Sequence, residues 1–345
     1  MAQVLCVGEA LVDRLGPPGG DPTTAAADRL DDRLGGAPAN VACALARLGT
    51  RAAFIGRVGR DAIGAAFADL FAGRGVDTSA LQWDAQRPSR IVLVQRDVGG
   101  ERSFGGFAGD LGAGFADQAL DADELTPCLN GFLGSVETSD PVELSTGCPG
   151  VPLWLLTGTI PLASPASAEA MGLLLDRCKA CGVKLAVDVN WRPTFWDSQL
   201  PPDSPPPAEP KARIRLLLER ADLIKCAAEE AEWLFGGTDP AVISVALPRR
   251  PDVLITDGAR PLRWRVAGEV GQRDSYAVPV VDTTGAGDAF TAGLLHSLCA
   301  HPGWPVERRM AFAGACGALV CGGAGAIDPQ PTEDQVLSFM AALGA

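Results

Sequence analysis

Short apolar runs of strand length alternate along the chain with longer stretches whose apolar positions recur at helical spacing. Residues 4–7, 52–55, 154–156, 184–189, 222–225 and 253–256 read as strands, and 39–48, 63–72, 168–181, 212–220 and 289–299 read as helices. Near-continuous apolar strands joined through helices predict an α/β fold: a mostly parallel central sheet with helices on both faces. Two stretches break the alternation. Residues 13–34 and 89–107 carry strand-like runs with no helix between them, the second (IVLVQRDVGGERSF) patterned as a hairpin around Gly99 and Gly100. Such strands predict a small β sheet projecting from the main one as a lid. The Pro-rich stretch 201–210 reads as a stiff surface loop, because the alternation resumes directly after it. No internal repeat is present, and one domain with lid segments inserted in it is expected over residues 1–345.

Composition narrows the function. The 345 residues include 29 Lys and Arg against 42 Asp and Glu, a net charge of −13, with no basic cluster to interrupt that acidity. A general nucleic-acid binder is excluded on charge, and an anionic substrate would need local attraction from helix N-termini, a few cations or a metal ion. The longest uncharged stretch, 310–327, is mostly Ala and Gly, and predicts a tightly packed buried helix followed by a Gly-rich turn, with no membrane span. The opening MAQVLCVGEALVD reads as a strand and lacks a secretory pattern, so the ten cysteines are expected as reduced thiols in a cytoplasm. Cys178 and Cys181 form one CxxC on a helix. With only His296 and His301 in the chain, no second half of a zinc site is visible, and His296 reads as a packed or surface residue on the 289–299 helix.

Two glycine-rich stretches carry candidate chemistry. In LGGAPANVACALARLG (34–49), Gly35 and Gly36 let the backbone approach a ligand, Pro38 suits the first turn of a helix, and Asn40 offers an amide that donates and accepts; a simple turn and cap fits the same residues. In VDTTGAGDAFTAG (281–293), a β-like run at 276–281 leads into a helix. Gly285, Ala286 and Gly287 would bare successive amides at its positive end, where a phosphate oxygen is held without basic side chains. Asp288 at the mouth of that hole is placed to accept a proton from an attacking hydroxyl, or merely to interact with the helix dipole. No Walker lysine loop occurs, and the first strand runs into GEALVD with no dinucleotide fingerprint.

Together GEALVD (8–13), GGAPANVA (35–42), GRVGRDAIG (56–64), DVNWRPTFW (188–196), ITDGA (255–259), DTTGAGDAF (282–290) and GAI (325–327) strongly resemble the PfkB, ribokinase-like family of carbohydrate kinases. Within it, GEALVD and DVNWRPTFW are most similar to the fructokinase versions of those segments. The resemblance implies a ribokinase-like fold with the acceptor sugar between lid and sheet, met by Asp13, Gly36, Asn40 and Arg192. It implies Asp288 as catalytic base and the amides of Gly285, Ala286, Gly287 and Asp288 as the anion hole. A donor nucleotide, ATP, would lie along Lys225, Thr256 and Gly258 toward Gly323 and Gly325; Asp282 and Thr284 would form a K+ site, and Glu230 would bear on Mg2+. The family's N-x-x-E segment falls on 227–230, where only Glu230 remains, and a position often Asn near the adenine is Gly314. The stretch 131–150 is longer than the family pattern.

The reaction this implies is transfer of the γ-phosphoryl group to a primary hydroxyl, fructose to fructose 6-phosphate, in a cytoplasmic enzyme whose partners are a sugar and a nucleotide. Ribose, 2-keto-3-deoxygluconate and a nucleoside stand as alternative acceptors, and a non-catalytic regulatory relative as the alternative class. An exposed lid sheet would also leave an edge for pairing as a homodimer.

Overall fold

The computed structural model describes residues 2–97, 102–133 and 153–344. The strands are β1 (Val4–Val7), β2 (Leu11–Leu15), β3 (Asp31–Gly35), β4 (Ala52–Gly59), β5 (Asp77–Asp84), β6 (Arg90–Arg96), β7 (Arg102–Ala108), β8 (Trp154–Thr157), β9 (Lys184–Asp188), β10 (Leu223–Ala227), β11 (Asp252–Asp257), β12 (Arg260–Val266) and β13 (Glu269–Arg273). The α-helices are α1 (Ala37–Leu48), α2 (Ala62–Arg74), α3 (Ala122–Leu133), α4 (Pro165–Ala180), α5 (Pro193–Trp196), α6 (Ala208–Leu218), α7 (Ala228–Phe235), α8 (Pro240–Val245), α9 (Ala286–Ala300), α10 (Val306–Val320) and α11 (Glu333–Ala342).

Nine strands form the main sheet in the order β13-β12-β11-β10-β9-β8-β1-β4-β5. From β11 through β5 every pairing is parallel, while β12 and β13 close one edge as an antiparallel extension. The period-2 alternation of a strand explains the two cores. Along β1, Val4 and Cys6 enter the cluster under α1, α9 and α10, while Leu5 and Val7 enter the one under α3 and α4. A strand buried on both faces must be apolar throughout, which is why VLCV reads so plainly in sequence.

β2, β3, β6 and β7 form a second, four-stranded sheet in the order β3-β2-β6-β7. β2 and β6 pair in parallel, and an antiparallel partner lies on each side. The expected turn at Gly99 and Gly100 lies outside the described residues, as does most of the long 131–150 stretch, whose first residues end α3. Asp61 ties the two sheets together: its Oδ1 caps α2 by accepting from the Gly64 amide at 2.8 Å, and its Oδ2 accepts from the Ser89 amide at 2.7 Å, one residue before β6.

The β-like run 276–281 is not a strand. It pairs with no strand, Val281 instead donating its amide to the Cys321 carbonyl at 2.8 Å, and Val280 and Val281 are exposed, because an apolar β-branched pair gives the same local signal in a loop as in a buried strand. Strands β5, β12 and β13 had no sequence signal strong enough to read; β5 and β13 are the sheet's two edge strands and β12 lies next to one of them, and all three are half-polar. Cys178 is buried in α4, and burial pushes its thiol up to about 12, so its CxxC offers no reactive thiolate there. Among the described residues no helix is long and apolar enough to cross a membrane.

Candidate functional site

The C-terminal end of β1 and the N-termini of α1 and α9 converge. α1 begins at Gly36, whose φ of +103° and contact with the Glu9 carbonyl, 2.5 Å from where a Cβ would sit, admit only glycine. α9 begins at Gly285, also left-handed at φ +78°, where a Cβ would lie 2.5 Å from Cβ of Ala326. Both glycine signatures are thus close-approach sites that start helices.

Asp288, in the first turn of α9, is half-buried, and Asn40, in the first turn of α1, donates its Nδ2 to Asp288 Oδ2 at 2.8 Å. Burial pushes the Asp288 carboxyl up to about 6, with Asp188 adding to the rise, while Asn40, Lys225 and Arg192 act against it. Asn40 Oδ1 is buried and has no hydrogen-bond partner among the described residues. Arg192 is exposed at the start of α5, its Nη1 donating to the Trp191 carbonyl at 3.0 Å. Asp13 lies in β2, paired in register with Arg33 and Val92, and its Oδ2 is 3.3 Å from where a Cβ of Gly35 would stand.

Beneath the GAGD turn lies an ionic pillar. Lys225, in β10, donates Nζ to both oxygens of Asp188 at 3.0 Å each, and Thr291 donates to Asp188 Oδ2 at 2.9 Å. Burial alone would push Lys225 down, but Asp188 and Glu230 turn the net shift upward, so the ammonium stays charged. Its Nζ sits 3.0 Å from the position a Cβ of Gly287 would take. Glu230 is buried and raised by that burial; its Oε1 accepts from the Trp191 amide at 2.7 Å and its Oε2 from the Ala227 amide at 2.8 Å. Its carboxylate therefore brackets the loop after β9 to the start of α7.

Asp282 is buried just before the turn, its Oδ1 accepting from the Thr284 amide and hydroxyl at 3.0 and 2.7 Å and its Oδ2 from the Gly325 amide at 2.8 Å. Gly325 thereby joins the Asp282 loop and lies against Arg33, whereas Gly323 packs on Pro329. Neither lines the large cavity on the other side of the turn. That cavity, about 470 Å3, is walled by Thr256, Gly258, Tyr276, Ala286, Gly287 and Phe290, with Gly314 and Gly317 of α10 at its back.

Glu9 is a residue the sequence reading passed over, although it stands inside GEALVD. It is 3% exposed, its Oε1 accepts from the Ala37 amide at 3.1 Å, and its Oε2 has no partner among the described residues. Burial pushes its carboxyl up to about 8. A group whose folded pKa is raised stabilises the fold fully below its unfolded value near 4.5, and that contribution is lost as pH rises through 8. Glu9→Gln is therefore expected to leave stability below about pH 4.5 unchanged and to flatten the loss of stability between about pH 4.5 and 8 in chemical denaturation. An unchanged slope over that window would show that Glu9 is already ionised in the fold.

A family model described as pfkB family carbohydrate kinase matches residues 1–333. The chain is 32% identical to a fructokinase from Vibrio alginolyticus over 89% of this chain and 91% of that one. It is 31% identical to fructokinase-1 of Oryza sativa subsp. japonica over 98% and 97%. Among solved structures, a fructokinase from Xylella fastidiosa with bound ATP superposes over the full length of both chains with a TM-score of 0.78 at 26% identity. A fructokinase double mutant from Vibrio cholerae O395, in a form with fructose, ADP and potassium ion bound, covers 98% of each chain with a TM-score of 0.75 at 27% identity. With a ribokinase-like sheet, a glycine-started α9 bearing Asp288, and a family match over nearly its whole length, the chain belongs to the PfkB family of carbohydrate kinases.

Proposed function

We propose that the protein is an ATP-dependent fructokinase in which Asp288 is the catalytic base. The observation that carries this reading is the pairing of Asn40 and Asp288 across the α1 and α9 N-termini, which leaves the buried Asn40 Oδ1 in need of a hydroxyl partner. A sugar bound there by Asp13, Gly36, Asn40 and Arg192 presents its O6 hydroxyl to Asp288. Asp288 takes the proton as O6 attacks the γ-phosphorus, the bond from phosphorus to the bridging oxygen breaks, and ADP leaves with that electron pair. The amides of Gly285, Ala286, Gly287 and Asp288 face the charge that builds on the transferring group. The four-stranded sheet serves as a lid over the sugar within a single kinase domain, excluding water as an acceptor.

The 470 Å3 cavity beside the anion hole suits the nucleotide's base and ribose, with Thr256 and Gly258 in its wall and Lys225 beneath the turn at Gly287. Gly314 leaves room there opposite Tyr276. Tyr276→Ala is expected to raise KM for ATP roughly 10-fold, the scale of one aromatic contact to a base, with KM for the sugar unmoved. A change confined to the sugar would place the nucleotide elsewhere.

Asp282 and the backbone at Thr284 offer an all-oxygen donor set with one carboxylate, which fits K+, held in shape by Gly325. Both Glu230 oxygens accept backbone amides, so Mg2+ would be held chiefly by the nucleotide's phosphates, as that ion prefers. These ions supply charge neutralisation around the phosphates. A kinase drawing on ATP and hexose fits the cytoplasm, and the outer strands β3 and β7 leave edges where a second copy would pair.

The test is ADP release with ATP and magnesium, with and without potassium, across fructose, glucose, ribose, 2-keto-3-deoxygluconate and adenosine. Fructose is expected to give the highest kcat/KM and fructose 6-phosphate as product, with potassium raising the rate. Preferred turnover of another acceptor would overturn the substrate assignment, and potassium-independent turnover would remove the ion from Asp282.

A further inference from the structure

The chain contains two histidines, and the fold brings both to one glutamate far from the site above. His296 lies near the end of α9, His301 directly follows that helix, and Glu333 is the first residue of α11. One ligand atom from each lies within 4.8 Å of the others. His301 Nε2 is 2.5 Å from Glu333 Oε1, and His296 Nε2 is 3.5 Å from Glu333 Oε2.

The decisive atom is His296 Nε2. The His296 side chain is 2% exposed, and Nε2 has no hydrogen-bond partner among the described residues although it points at the cluster. Its other ring nitrogen, Nδ1, is 2.8 Å from the hydroxyl of the buried Thr50. With Nδ1 donating to that hydroxyl, Nε2 keeps its lone pair, the tautomer a metal-ligating imidazole needs. Both rings are oriented by stacking: His301 lies 3.9 Å from Trp304 at 4°, and His296 is 5.6 Å from Phe312 at 22°. A shared proton between His301 and Glu333 would satisfy those two groups but leave His296 Nε2 orphaned in the protein interior.

We propose that His296, His301 and Glu333 form a divalent transition-metal site of the zinc class. Two imidazoles and a carboxylate are a borderline donor set that suits Zn2+ over Mg2+ or Ca2+. Bonds of about 2.0–2.1 Å in tetrahedral geometry place ligand atoms roughly 3.3 Å apart, so the present spacing needs shifts of only about an ångström. The side chains of His301 and Glu333 are 28% and 29% exposed, which leaves the fourth position to water. The metal would clamp the C-terminal end of α9, whose first turn carries Asp288, onto the start of α11, and its role is mechanical. The CxxC at Cys178 is on α4 and takes no part; the third ligand is a carboxylate distant in sequence, which cysteine and histidine spacing does not reveal.

The probe is Zn2+, with Co2+ as its visible reporter, added to full-length, nucleotide-free protein stripped with a chelator. One equivalent is expected to bind with Kd below about 10 µM and to raise Tm by about 5 °C when in excess. Bound Co2+ is expected to show the visible bands of a four-coordinate nitrogen and oxygen site, without the near-ultraviolet charge-transfer band that cysteine ligation gives. His301→Ala and Glu333→Gln, both at the open rim, should each weaken binding roughly 100-fold while leaving kinase turnover unchanged. No saturable binding below about 100 µM would overturn the site, leaving a His–Glu ion pair. A thiolate band, or affinity untouched by both variants, would place the metal elsewhere.

Discussion

Asp288→Asn is expected to lower kcat by about 10²–10⁴-fold while leaving KM for both substrates within about threefold, the loss typical of removing a positioned general base. The amide keeps the shape of the side chain and an oxygen that accepts from Asn40 Nδ2, so the geometry around α1 and α9 survives and only proton acceptance is lost. The pH profile supplies a second, independent reading. A base must be deprotonated to work, and burial pushes Asp288 up to about 6, so kcat/KM should fall tenfold per unit below that pH. Asn40→Ala removes a donor that favours the carboxylate, so it should move that limb to higher pH. Retention of more than about a tenth of wild-type kcat by Asp288→Asn, or an acid limb unmoved by Asn40→Ala, would take the base role from this residue.

The position of Asp288 was legible because its chemistry is local. A glycine-rich turn opening a helix predicts where amides face, and the residue after it must stand at the mouth of that hole. The parallel sheet was legible for a similar reason: strands buried on both faces are nearly all apolar, and β1 and β8 advertise themselves. What sequence could not show are contacts between residues far apart in the chain. Nothing in GEALVD says that Glu9 is buried against the amide of Ala37, nor that Glu230 takes up the Trp191 amide from across the sheet's edge. The placement of Gly325 shifted for the same reason. Gly325, expected near the nucleotide by resemblance, donates its amide to Asp282, a contact no local pattern announces, while the wall of the neighbouring cavity includes Tyr276, Phe290 and α10.

Lys225 shows how far such a shift reaches. Along the proposed nucleotide path it invites assignment as a phosphate ligand, yet its ammonium bonds both oxygens of Asp188 in a buried pair beneath Gly287. Removing one partner of a buried pair leaves the other charge without compensation, at a cost of about 3–5 kcal/mol. Lys225→Met is therefore expected to destabilise the fold by that amount in chemical denaturation, because Thr291 alone then faces the Asp188 carboxylate. Asp188→Asn on the Lys225→Met background removes the stranded charge and should recover at least half of the loss, a coupling of about 2 kcal/mol between neighbours. If Lys225 acted instead as a direct phosphate ligand, Lys225→Met would keep its stability and raise KM for ATP at least 10-fold, and the double variant would recover nothing. The two roles separate because one is read without nucleotide and the other only with it. A pillar beneath Gly287 fixes where the amides at the start of α9 point, and under the proposed function that placement is what a chain with net charge −13 would use to receive a phosphate.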